Sequence, residues 1–220
     1  MFRYEIDMLP FIQEFFNAKF QKGYFVKEFK AGIGVADLVF APSINKREYY
    51  FDDFEMLYHT LALFNKKNKK INEHDLLSRF SKKEISSLIK KFILLGLIEE
   101  IDNNSYLVMN KLSPTIPNFY AIEAKLSDWK GGFYQALRYK NFAQKSFLAI
   151  SSDFIHRVDT DLLISNNIGL ISVSIKKTSI VIYPKKKKPN DEVAFYYSGE
   201  NFTKKIYLEK EKEYCSQQWL

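Results

Sequence analysis

The sequence contains a single cysteine, Cys215, among its 220 residues. One chain therefore has no internal disulfide and no cysteine-based zinc site, and we expect a reducing, cytoplasmic location. The three histidines, His59, His74 and His156, are too widely spread to form a zinc-binding motif. A zinc enzyme is therefore not expected.

Long apolar runs are also missing. No segment approaches the roughly 18 uninterrupted apolar residues of a membrane span. The first twenty residues carry Glu5, Asp7 and Glu14 and have no apolar core of the kind found in signal peptides. We therefore expect neither secretion nor insertion into a membrane.

What the chain has is positive charge and ample apolar material. It carries 33 Lys and Arg against 26 Asp and Glu, a formal net charge of +7, and 46% of its residues are hydrophobic. This composition suffices for one compact domain and a small second one. The basic balance favours a polyanionic partner such as nucleic acid, although a solvated basic surface is the plainer interpretation.

The N-terminal pattern predicts a helix followed by two strands. Apolar residues recur at helical spacing over 7–20, and Gly23 follows where a helix is expected to end. Two β-rich runs, 24–30 and 35–41, then flank a glycine-containing turn at 31–34. The two runs are therefore predicted to form a hairpin.

Residues 52–110 differ from their surroundings because they are rich in lysine and helical in period. A first helix is predicted from Phe54, a second is capped by Asn72, and a third is capped by Ser81. Two short apolar strands around a polar turn follow within 97–109. Three helices and a hairpin predict an inserted winged helix-turn-helix subdomain.

The strand pattern returns after a proline-bearing connector at 113–117. Residues 1–50 and 113–220 are therefore predicted to form one α/β domain that the insert interrupts. The charged tail from Lys204 is left without an assigned structure. The other predicted elements are a strand at 119–126, a helix at 129–143, a strand at 146–151, a helical stretch at 154–163, and strands at 169–174 and 179–183.

Three charged residues on predicted strands need an explanation. Glu123 and Lys125 share one face of their strand because residues i and i+2 point the same way. Asp37 lies among apolar residues, where a carboxylate is costly to bury without a partner such as a metal ion. Phosphodiester hydrolysis uses acidic oxygens to hold Mg²⁺ and a cation to meet developing charge. The alternative is that each residue merely occupies a half-exposed strand.

These residues resemble the motif of the PD-(D/E)XK nuclease superfamily, in which an Asp ends one core strand and Glu-x-Lys lies on the next. The order helix, three strands, helix, strand also resembles residues 7–151 once the insert is removed. Gln135 and Tyr139, on the following helix, are similar to the Gln-x-x-x-Tyr signature of RecB-like exonucleases. Ala36 stands where the motif usually has proline.

The resemblance implies a restriction-endonuclease-like core, a mixed central sheet flanked by helices, with a Mg²⁺ or Mn²⁺ site. It also implies a role for a glutamate of the first helix, for which Glu14 is the candidate and Glu28, on the first strand, the rival. A solvated carboxylate is the plainer interpretation of both. The implied catalytic residues are Asp37, Glu123, Lys125, Gln135 and Tyr139, and the implied metal-binding residues are Asp37, Glu123, Ala124 and Glu14.

The insert is predicted to bind DNA through its third helix, because a recognition helix enters the major groove while flanking basic groups contact phosphates. A protein-interaction module with solvated lysines is the alternative. The predicted DNA-binding residues are Lys82, Lys83, Ser86, Ser87, Lys90 and Lys91 on the third helix, with Lys66, Lys67, Lys69 and Lys70 before the second.

Two functions follow from these features. The first is a metal-dependent DNA endonuclease, of a restriction or mobile-element type, in which the insert anchors duplex DNA. The second is a non-catalytic DNA-binding regulator or assembly protein built on an inactive nuclease core. DNA is the expected partner in both, and a homodimer or a larger nucleoprotein assembly is compatible with either.

Overall fold

The computed structural model describes residues 2–32, 34–102 and 104–217 and divides the chain into two compact units. Residues 1–44 and 116–220 form the outer unit, and residues 45–115 form the inserted unit. The insert expected at 52–110 is thus longer at both ends. Ile33 of the first predicted turn and Asn103 of the second lie outside the described residues.

The helices and strands are numbered here in chain order. The helices are α1 (Leu9–Phe20), α2 (Phe54–Leu63), α3 (Glu73–Leu77), α4 (Lys82–Leu94), α5 (Trp129–Tyr139), α6 (Thr160–Ser165) and α7 (Glu192–Gln217), with short 3₁₀ helices at Glu5–Met8 and Ile155–Arg157. The strands are β1 (Tyr24–Lys30), β2 (Val35–Ala41), β3 (Lys70–Asn72), β4 (Ile98–Asp102), β5 (Ser105–Val108), β6 (Tyr120–Lys125), β7 (Lys145–Ser151), β8 (Gly169–Val173) and β9 (Thr178–Ile182).

The outer unit is an α/β domain built on a six-stranded mixed sheet in the order β1-β2-β6-β7-β8-β9. Strands β6, β7 and β8 are parallel, whereas β1, β2 and β9 pair with their neighbours in the antiparallel sense. The predicted mixed sheet flanked by helices is therefore confirmed. Because β2 pairs directly with β6, the whole inserted unit leaves the sheet between two adjacent strands.

Strand alternation gives the sheet two apolar faces. On one face, Phe16 of α1 packs with Phe40 of β2, whose ring centroid lies 5.1 Å away. On the opposite face, Val39 belongs to a cluster that includes Tyr139 of α5 and Phe202 of α7. Helices therefore cover both sides of the sheet, with Val39 and Ala41 of β2 on the side of α5 and α7.

Several predicted elements are confirmed, and others differ. The helix expected over 129–143 ends at Tyr139, because a tight turn follows in which the N–H of Phe142 donates to the carbonyl of Tyr139 at 3.1 Å. The helical stretch expected over 154–163 is a 3₁₀ turn followed by α6. Helix α7 was not predicted, because buried polar residues such as Ser198 and Thr203 interrupt its apolar period.

The inserted unit contains three helices and a three-stranded antiparallel sheet in the order β3-β5-β4. The predicted caps are confirmed: Asn72 accepts a hydrogen bond from the N–H of Asp75, and the N–H of Ser81 donates to the Glu84 carboxylate. Strand β3 was missed because it is only three residues long. The two ends of the unit meet where the N–H of Asn45 donates to the carbonyl of Thr115 at 2.7 Å.

None of the helices in the described part of the chain combines the length and the apolar character that a membrane span requires.

Phe40 lies at the centre of the aromatic cluster beneath α1, where it contacts Phe16, Phe20, Phe25 and Tyr120. We predict that Phe40→Ala lowers the free energy of unfolding of the outer unit by about 3–5 kcal/mol, because the fully buried ring leaves a cavity. Tryptophan fluorescence during chemical denaturation measures this, since Trp129 belongs to the outer unit.

The matched control is Ile164→Ala, which removes an apolar side chain that is 60% exposed in the same unit. It should change stability by no more than about 0.5 kcal/mol. A comparable loss in both variants would contradict the position assigned to Phe40.

Candidate active site

Asp37 and Glu123, far apart in the sequence, lie next to each other in the sheet. Strands β2 and β6 pair with Leu38 opposite Ile122 and Val39 opposite Ala121, so the next step of the same register brings Asp37 opposite Glu123. Directly opposed residues of antiparallel strands point to the same face, with Cβ atoms about 5 Å apart. The backbone N–H of Ala124 donates to Oδ2 of Asp37 at 2.8 Å and fixes that carboxylate.

Lys125 joins the two acids on the same face. It shares the face of Glu123, as the i, i+2 spacing predicted, and its Nζ forms an ion pair with Oε1 of Glu123 at 2.7 Å. The Glu123 side chain is completely buried and that of Lys125 is 14% exposed. The lysine head is therefore the member of the pair that solvent or a ligand can reach.

Helix α5 covers this part of the sheet and adds Tyr139. The Tyr139 hydroxyl lies 2.5 Å from Oε2 of Glu123 and 2.7 Å from the carbonyl of Val35, the two acceptors within reach of its single proton. Gly132 allows the helix to lie this close, because an added Cβ would be 2.8 Å from Cγ of Lys125. Both carboxylate oxygens of Glu123 thus have protein partners, one on the sheet and one on α5.

Glu5 also belongs to this cluster, although the sequence analysis did not select it. Its Oε2 lies 3.4 Å from Nζ of Lys125, and its Oε1 accepts a hydrogen bond from the N–H of Leu126 at 3.4 Å. Glu5 begins the short 3₁₀ helix that precedes α1. It was overlooked because it lies before the periodic apolar residues by which the helix was recognised.

The other predicted site residues lie in different surroundings. Glu14 is exposed on α1 and lines a cavity with Phe11 and Lys176. Within the described residues, it forms no hydrogen bond or ion pair with Asp37 or Glu123. Gln135 is half-buried on α5, one turn before Tyr139.

Glu28 occupies an unusual backbone conformation opposite Asp37. Its φ is +46°, in the left-handed region that residues with a side chain rarely adopt. The strand alternation shifts there, so that Val26 and Phe29, three residues apart, both face the cluster beneath α7. The Glu28 carboxylate is exposed yet close enough to raise the pKa of Asp37 by repulsion.

Burial dominates the electrostatics of the cluster. It raises the pKa of Glu123, although Lys125 and the Tyr139 hydroxyl oppose the shift, and the neighbouring Asp37 adds to it. Burial also raises the pKa of Asp37 against the lowering effects of the Ala124 N–H and Lys125. For Lys125, burial lowers the pKa, but the surrounding carboxylates outweigh burial and raise it. Burial beside Glu123 raises the pKa of Tyr139.

A divalent cation was implied by the sequence, and the donor set can be tested against it. No group of three or more Asp, Glu, His or Cys side chains in the described residues has the geometry of a metal site. Mg²⁺, however, is usually held by one or two protein carboxylates, with water and substrate phosphate completing its shell. Asp37 and Glu123 fit that requirement by donor type and by their position on one face. To bind the ion, Glu123 would have to give up its contact with Lys125.

The predicted DNA-binding residues of the inserted unit lie on α4 and in the segment before α3. Ile85, Leu88 and Phe92 are buried on one side of this helix. Lys91 is half-buried, with its Nζ 4.2 Å from the centroid of the Tyr49 ring. The exposed members of the predicted set are Lys82, Lys83, Ser86, Ser87 and Lys90 on α4 and Lys66, Lys67, Lys69 and Lys70 before α3.

Comparison with protein-family models, with curated proteins and with solved structures finds no match to this chain.

Asp37→Asn tests the electrostatics of the cluster. Because the folded state binds the Asp37 proton more tightly than the unfolded chain does, the stability of the natural protein falls as the pH rises from the ordinary pKa of 3.8 through the raised one. Asparagine loses no proton and retains an oxygen for the Ala124 N–H. We predict that Asp37→Asn stabilises the outer unit more at about pH 7.5 than at about pH 4, as measured by thermal unfolding.

Asp161→Asn, which removes an exposed carboxyl of the same unit, is the matched control. An Asp37→Asn effect of equal size at both pH values would show that burial does not raise the pKa of Asp37.

Proposed function

We propose that this protein is a metal-dependent DNA endonuclease with a catalytic centre of the PD-(D/E)XK type. The observation that carries the proposal is the meeting of Asp37, Glu123 and Lys125 on one face of the β2–β6 pair, with Lys125 Nζ 2.7 Å from Glu123. Two acids and a lysine in this arrangement suit phosphodiester hydrolysis, because the reaction develops negative charge that only preorganised cations stabilise.

Each residue of the candidate active site has a separate role in this proposal. Asp37 and Glu123 would hold Mg²⁺ or Mn²⁺, which when bound polarises the phosphate and lowers the pKa of a bound water. The Ala124 N–H orients Asp37, and the Tyr139 hydroxyl orients Glu123. Lys125, raised in pKa and therefore charged, faces the reacting phosphate as its contact with Glu123 is released.

In this proposal the inserted unit binds the DNA. Its order of helix, strand, helix, helix, strand, strand is that of a winged helix. Helix α4 would act as the recognition helix, because Lys83 and Lys90 project from the side opposite its buried residues and Lys82 is exposed at its N-terminus.

Glu123→Ala and Lys125→Ala test the catalytic assignment. Each should lower the rate of Mg²⁺- or Mn²⁺-dependent nicking of plasmid DNA by about a hundred-fold or more, because each removes a charge that acts on the reacting phosphate. Duplex binding, measured in EDTA by fluorescence anisotropy, should be retained because the inserted unit is unchanged.

Lys130→Ala is the matched control, since it removes an exposed lysine from the first turn of α5. Its nicking rate should equal that of the natural protein. Full activity in Glu123→Ala and Lys125→Ala would remove both residues from the mechanism.

A non-catalytic DNA-binding protein is the second candidate. It is favoured by the ion pair that occupies Glu123 and by the lack of a three-residue metal cluster among the residues described. Duplex binding without cleavage of linear, nicked or branched DNA in either metal ion would favour this function over the nuclease.

A further inference from the structure

The outer unit carries a strongly basic surface that is remote from the candidate active site. Its centre is the segment 185–188, four consecutive lysines that we call the basic strap, between the buried prolines Pro184 and Pro189. All four lysine side chains are exposed. The strap follows β9 and precedes α7.

Hydrogen bonds to its backbone hold the strap in place. Asn167 accepts from the N–H of Lys185 at 2.8 Å and donates to its carbonyl at 2.9 Å. The N–H of Lys187 donates to the carbonyl of Gln144 at 3.2 Å. Gln144 is itself buried and fixed, since its side chain accepts from the N–H of Phe119 at 2.6 Å. These hydrogen bonds hold the backbone of the strap and do not involve the lysine side chains, which therefore remain available to a ligand.

Neighbouring residues extend the positive surface. Lys145 Nζ lies 4.1 Å and Lys19 Nζ 4.8 Å from the centroid of the Tyr183 ring, directly before the strap. The Tyr183 side chain is 47% exposed between these two cations. Glu192 is the carboxylate that pairs with the strap, 3.7 Å from Lys188, and both side chains are largely exposed. Such a pair is weak and leaves most of the positive charge uncompensated.

This surface is separate from the candidate active site. The strap contacts the loops that precede β7 and β8, whereas Glu123 and Lys125 lie at the far end of β6. The start of β6, Tyr120, pairs with the start of β7, Lys145, so the length of β6 separates the two regions. That length is about 17 Å at the usual rise per residue.

We propose that the basic strap binds the phosphate backbone of nucleic acid at a site distinct from the catalytic centre. Four consecutive lysines, at most about 3.6 Å apart per residue, concentrate positive charge that can neutralise the closely spaced phosphates of nucleic acid. Preorganisation by Asn167 and Gln144 lowers the ordering cost of binding.

The test measures binding of a labelled oligonucleotide by the full chain across a salt series. EDTA is present throughout, so that the outcome does not depend on cleavage and failure of the nuclease proposal leaves this test intact. Single-stranded and duplex forms of the same sequence are both measured, because both present the phosphates that the strap would bind.

The main variant replaces Lys185, Lys186, Lys187 and Lys188 together with alanine. The slope of log affinity against log salt should become shallower by about three to four, because four phosphate contacts are lost. The matched variant with arginine at the same four positions should keep the slope. Since the strap is anchored by backbone atoms, both variants should show the natural thermal unfolding curve.

Asn167→Gly separates the clamped geometry from net charge. Glycine tolerates the positive φ of 55° at this position but removes both hydrogen bonds to Lys185. Affinity should fall several-fold with every lysine retained, and unchanged affinity would overturn the role of the clamp.

An unchanged salt slope in the alanine variant would overturn the proposal. So would loss of binding to phosphatidylserine vesicles in that variant with nucleic-acid binding unaffected, since the strap would then be a membrane-surface contact.

Discussion

The antiparallel pairing of β2 with β6 is the constraint on which the candidate active site depends. It brings Asp37 opposite Glu123 and allows the Ala124 N–H to hold the Asp37 carboxylate. Neither strand supplies the site alone, because the acids come from segments separated by the whole inserted unit. The apolar neighbours on both faces fix the register, since a slip of one residue would turn Asp37 towards α1 and Phe40 away from its aromatic cluster.

Burial determines the electrostatic properties of the charged residues that the β2–β6 pairing brings together. A glutamate and a lysine in contact beneath a helix are stable only as a pair, because removing one partner leaves the other charge buried without compensation. Burial raises the pKa of both acids, so the fold disfavours their charged forms relative to water. Perturbed acids of this kind concentrate at functional sites, where stability is given up for reactivity. The left-handed Glu28, on the strand next to Asp37, is a second departure from regular structure at the same place.

The sequence was informative where local pattern and tertiary structure agree. Alternation on β2 and β6 and capping at Asn72 and Ser81 were enough to predict the sheet strands and the helices of the insert. The i, i+2 relation also predicted the shared face of Glu123 and Lys125, although not the ion pair between them. Glu5 was missed because its role arises only when the 3₁₀ helix packs beside β6. Helix α7 was missed because its buried face mixes phenylalanine with Ser198 and Thr203, which hides the apolar period.

The hydrogen bond between Asn45 and Thr115 has a consequence for how the chain folds. Strands β2 and β6 must find each other across a long intervening segment, and closing a flexible loop carries an entropic penalty that grows with its length. A segment that folds by itself and brings its own ends together acts as a short connection. Folding of the insert before the sheet would therefore shorten the effective loop between β2 and β6 and favour their pairing during synthesis.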